Sequence, residues 1–198
     1  LWEASATAIL AYQRGHRLYI ANVGDALAVL SRVGGAMRVL GTKHDPLNRD
    51  ETQRIRSAEG WVSLRGYVND KVHVARAFGH FQLTPIISAC PSVQCVELTD
   101  ADEFVILANA ELWRYIPYQM AVDIARMDRE HPRHASQRLR DIAVSYGATG
   151  HITVMVVAVG ALFHEQLDAN VQHAHALQRG VDYSKKLTRR SRADNDST

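Results

Sequence analysis

The chain has 198 residues, 46% hydrophobic and 22% charged, with a formal net charge of +2; this fits one globular domain with an appendage. So small a charge gives no reason to expect nucleic acid or a membrane surface as partner, and no run approaches the ~20 apolar residues that would make a transmembrane segment. Two cysteines, Cys90 and Cys95, are too few for a disulfide framework or a four-cysteine zinc site and are expected to be reduced, partly buried thiols.

The opening "LWEASATAIL" has neither an initiator Met nor the basic and apolar regions of a signal peptide, so the chain is expected to be a piece of something longer. Residues 6–12, 17–23, 26–30 and 37–40 are short apolar runs broken by Gly15, Gly24, Gly34 and Gly35, which predicts an antiparallel meander. Asp50 and Glu51 open a polar helix with Ile55 and Ala58 inward, stopped at Gly60. Strands are expected at 61–64, around 86–87 and at 93–98, with loops or short helical pieces over 65–84. Strand 104–108 ends in the turn Asn109-Ala110-Glu111, before Leu112 and Trp113.

Two helices follow, one from about Pro117 and one from about Pro132. In the second, Ala135, Leu139, Ile142, Ala143 and Tyr146 fall on one helical face, and Gly147 suits a left-handed cap. A strand over 151–159 closes the core. Residues 161–198 carry a short amphipathic stretch and then a polar, basic run, read as a solvated linker.

Five blocks, "LYIANVGDALAVL", "KHDP", "ARAFGH", "DEFVILANAELW" and "GHITVMVV", resemble in order and spacing the PP2C-type (PPM) metal-dependent protein serine/threonine phosphatases. The resemblance implies an α+β fold, a β-sandwich of two mainly antiparallel sheets flanked on both sides by helices, over residues 1–160. It also implies that the N-terminal part of the domain precedes Leu1. In finer detail "GGAMRVLGTKHDP" and "ANAELW" are similar to the PP2C-like domain inside fungal adenylate cyclases.

Phosphatases of this family hold two Mg²⁺ or Mn²⁺ ions on converging carboxylates, which activate a bridging water. The positions that the resemblance assigns to those acids hold His80, Ala110 and Gly150, and Arg114 stands where the family has an aspartate after its Trp. No catalytic residue and no metal ligand is expected here. An alternative metal set is His80, Glu111 and His151, since two histidines and a glutamate can bind zinc, although Glu111 lies one residue off the ligand position. Asp25 and Asp45 are expected in turns, Ser5 and Thr7 buried in a strand, and Arg54 and Arg76 in exposed ion pairs of little energetic weight.

The resemblance thus implies a catalytically inactive regulatory or scaffolding module of an adenylate cyclase. Its parent would convert ATP to cyclic AMP and pyrophosphate with Mg²⁺. Its partners would be leucine-rich repeats and a cyclase catalytic domain of the same polypeptide, with Ras-pathway proteins reached through the parent. No cofactor is expected in this fragment, and a cytoplasmic location, peripheral to a membrane through the parent, follows from the same reading. The alternative is an active metal-dependent protein serine/threonine phosphatase with a non-standard metal site.

Overall fold

The computed structural model describes residues 4–159; the linker expected over 161–198 lies outside them. In chain order the first strands are β1 (Ser5–Ala6), β2 (Ala8–Arg14), β3 (Arg17–Val23), β4 (Leu27–Arg32) and β5 (Met37–Leu40). Helix α1 (Arg49–Ser57), β6 (Phe78–Gly79), β7 (Ser92–Glu97) and β8 (Asp102–Ala108) follow. Helices α2 (Ala110–Tyr115), α3 (Tyr118–Arg126) and α4 (Pro132–Ser145) then lead to β9 (Val154–Ala158).

The strands form two antiparallel sheets, ordered β2-β3-β7 and β5-β4-β8-β9, with β1 and β6 as a separate short pair. This is the α+β two-sheet architecture expected from the sequence. A single meander is not what forms, however. The hairpins β2-β3 and β4-β5 pair as expected, but β3 and β4 belong to different sheets. The chain changes sheet at Gly24, whose φ is +98° and whose missing Cβ would lie 2.3 Å from Thr7 Cγ2. No other residue fits that crossing.

Residues 27–30 of β4 and 104–108 of β8 are buried on both faces, in keeping with their unbroken apolar sequence. On one face Val29, Phe104, Ile106 and Ala108 pack under α2–α4. In α4, Pro132 occupies the first turn, Ala135, Leu139 and Ala143 are buried, and Gly147 takes φ +95° beyond the end. The segments at 61–64 and 86–87 are not strands. Val62 makes only an isolated bridge to Val68, and Ile87 packs with Ile55 and Val68 in a second small core.

Among the described residues helices α2–α4 cover the sheet β5-β4-β8-β9. Among the described residues no helix lies over the outer face of β2-β3-β7, where Leu10, Tyr12 and Val93 are exposed. Cys95 sits opposite Tyr19 on that same face, and both cysteines are exposed rather than partly buried. Ser5, expected to be buried, is exposed as well. Between the sheets a cleft of about 610 Å³ opens along β2 and β9, lined by Ile9, Ala11, Leu107, Met155 and Val157 among others. Both strands are sheet edges here.

Candidate functional site

The corner where β8 turns into α2 lies beside the start of β9, and side chains tie the two together. The Asn109 backbone N–H donates to Thr153 O at 3.1 Å. Its Nδ2 donates to His151 O at 2.6 Å, and its Oδ1 accepts from Thr153 N at 3.1 Å. Glu111 works in the same direction: Oε1 accepts from Gly150 N at 2.9 Å, and Oε2 accepts from Arg114 Nη1 at 2.8 Å. A Cβ on Gly150 would stand 2.7 Å from Glu111 Cδ. The glutamate therefore occupies the space that any side chain at 150 would need.

These residues do not fit the metal pair of a PP2C phosphatase. Ala110 and Gly150 offer no side-chain ligand atom, and both Glu111 oxygens are engaged. His80 follows β6 at φ +50°, with its backbone N–H donating to Ala4 O at 3.2 Å. Among the described residues no three His, Cys, Asp or Glu side chains are grouped to hold a metal ion, so the alternative set His80, Glu111 and His151 is not brought together. The role of Asn109 was not read from the sequence. An Asx residue between strand and helix signals a helix cap, but this side chain makes no cap bond and reaches across to β9.

Trp113 is anchored by its indole N–H, which faces Ala108 O at 3.0 Å and Leu27 O at 3.3 Å. Its ring meets Tyr118 edge-to-face, centroids 5.1 Å apart. Asp45 takes the turn role expected of it, accepting from Leu47 N at 3.0 Å. The arginines overturn expectation: Arg54 and Arg76 both pair with Glu51, which is buried. Burial raises the Glu51 pKa, but hydrogen bonds from Arg76 and Arg54 outweigh it and hold the carboxyl below its usual range.

Nearby His44 is fully buried. Its Nδ1 lies 3.0 Å from Gly24 N and 3.1 Å from Gly24 O, and its Nε2 lies 2.8 Å from Ser92 Oγ. Burial, then the Arg76 charge, lowers its pKa from 6.5. An unfolded histidine takes up a proton near pH 6.5 while the folded one does not, so the unfolded state binds more protons in acid. Stability should therefore fall as pH drops below about 6.5. Urea midpoints at about pH 7.5 and about pH 5 check this, and His44→Gln should reduce the difference.

Two antiparallel sheets with a helical layer packed against them share the core architecture of metal-dependent phosphatases of the PP2C class. The family model for protein phosphatase 2C matches residues 1–152, and the chain belongs to that family. More particularly, it is 59% identical over 169 residues to an adenylate cyclase of Mycosarcoma maydis, covering 85% of this chain and 7% of that protein. An adenylate cyclase of Neurospora crassa is 40% identical over 164 residues, covering 83% of this chain and again 7% of the relative. The chain thus spans a small fraction of the length of these relatives. A serine-threonine phosphatase 2C from Toxoplasma gondii superposes with a TM-score of 0.72 at 23% identity, over 79% of this chain and 59% of that one; that likeness shows the fold.

Proposed function

We propose that this domain is a non-catalytic PP2C-fold module of an adenylate cyclase, retained for its shape and surface. The observation that carries the reading is the corner itself. Ala110 and Gly150 stand where the family's acids are expected, and Glu111 is committed to Gly150 N and Arg114. Converging anionic oxygens are what a pair of hard divalent cations requires, and the corner spends its one carboxylate on internal bonds. In this reading the parent protein converts ATP to cyclic AMP and pyrophosphate, with Mg²⁺ held in its catalytic domain. The module's partners are then the other domains of the same polypeptide, leucine-rich repeats and the cyclase domain, and Ras-pathway proteins reached through the parent. A cytoplasmic site of action goes with that role; no helix among the described residues is long and apolar enough to cross a membrane.

The test is hydrolysis of p-nitrophenyl phosphate with Mg²⁺ or Mn²⁺, alongside calorimetric titration of both ions. The expected outcome is no metal-dependent turnover above a protein-free blank and no saturable heat. Turnover that disappears on His80→Ala would overturn the reading and make the domain a phosphatase with a rebuilt metal site.

A further inference from the structure

The two sheets are tied together along one side of the sandwich and stand apart along the other. On the tied side Gly41 N, just beyond β5, donates to Gln94 Oε1 of β7 at 3.0 Å. Asn22 of β3 exchanges two bonds with Thr42: its Nδ2 donates to Thr42 O at 2.6 Å and its Oδ1 accepts from Thr42 N at 3.1 Å. On the other side the edge strands β2 and β9 bound the cleft of about 610 Å³. Alternate residues of both edges line it, Ile9, Ala11 and Gln13 from β2 and Met155 and Val157 from β9, as the period of a strand requires.

Neither of these two edges is guarded. Edge strands ordinarily carry charges, proline or bulges that discourage a further strand from pairing. Residues 8–13 and 154–158 contain no charged residue and no proline, and no register shift interrupts the pairing of β2 or β9. The edges on the tied side differ, with Arg38 in β5 and Glu97 in β7. Met155 and Val157 are exposed apolar side chains on the cleft wall. An unguarded edge on each sheet, set around one apolar cleft, suits two added strands, since a single strand would complete only one of the sheets.

We propose that two strands from the part of the polypeptide preceding this sequence fill the cleft. One extends β2-β3-β7 at β2, the other extends β5-β4-β8-β9 at β9, and both turn alternate apolar side chains inward. Chain for this is at hand, because this sequence corresponds to 7% of the Mycosarcoma maydis adenylate cyclase and 59% of the Toxoplasma gondii phosphatase. It also arrives at the right place: Thr7, which leads into β2, lines the cleft, so preceding residues need no long connection to reach it. A second copy pairing edge to edge would join two clefts and fill neither. The preceding region is then coupled to this module rigidly, through shared sheets, and not by a tether. This holds whether or not the corner at Ala110 is catalytic.

Amide hydrogen exchange tests it, comparing this chain with the same chain lengthened by the residues that precede it in its parent. Exchange in β2 and β9 should slow by about tenfold or more in the longer chain, while β5 and β7 change little. Met155→Glu gives a second reading. In this chain Met155 is exposed, so the urea midpoint should hold, whereas in the longer chain the carboxylate would be buried and the midpoint should fall. Equal exchange of β2 and β9 in the two chains overturns the proposal, and so does a longer chain that tolerates Met155→Glu. Protection of both edges that rises with the concentration of this chain alone would assign the cleft to a second copy and overturn it as well. Metal-dependent turnover would defeat the reading of a non-catalytic module without touching these results, and unchanged exchange would leave that reading intact.

Discussion

Replacing Glu51 by alanine is expected to destabilise the domain by about 3–5 kcal/mol, the cost of stranding partly buried charge. Its two arginines cannot simply swing into water. Arg54 also donates to Ile86 O at 2.9 Å and Ala75 O at 2.7 Å, and Arg76 to Cys90 O at 3.0 Å. Those carbonyls hold both guanidinium groups where the carboxylate was, so the positive charges remain close and unneutralised. The same contacts tie α1 to the irregular segments at 75–77 and 86–90, which have little secondary structure of their own. The urea midpoint should drop with little change of slope. A loss below about 1 kcal/mol would mean that the arginines resolvate and that the cluster carries little weight.

Ile106→Ala should cost about 2–5 kcal/mol, and Leu107→Ala clearly less, although the two are neighbours on β8. Ile106 is fully buried and packs in the core beneath α2–α4. Leu107 points the other way, into the cleft between the sheets. Removing a side chain from a close-packed layer leaves a void, whereas one facing an open cleft has fewer contacts to lose. Equal losses in paired urea titrations would mean that the cleft is filled in solution.

The buried strands and the long helix were legible in the sequence because their patterns are dense. In β8, Phe104 to Ala108 is uninterrupted apolar sequence, and in α4 the spacing of Ala135, Leu139 and Ala143 leaves one helical solution. The change of sheet at Gly24 was not legible. It depends on the contact with Thr7, and a glycine between two apolar runs signals a hairpin equally well. Helix α2 was missed for a related reason, since six residues give too little periodicity to separate a turn from a helix. Arg54 and Arg76 read as surface residues because charge type predicts exposure, and only the fold brings Glu51 between them. At the candidate site, the absence of ligand atoms at Ala110 and Gly150 can be read directly. The use of Asn109 and Glu111 depends on where β9 begins, a tertiary relation that no local spacing encodes.

That use of Asn109 and Glu111 has a consequence for when the surface is available. The chain leaves sheet β5-β4-β8-β9 at Ala108 and returns at Val154, and between them it builds the whole helical layer. The bonds from Asn109 and Glu111 to residues 150–153 fasten departure to return with groups the chain always carries. In the proposed reading the corner's shape is constitutive: these bonds set it without a divalent cation, so it does not wax and wane with the supply of such ions.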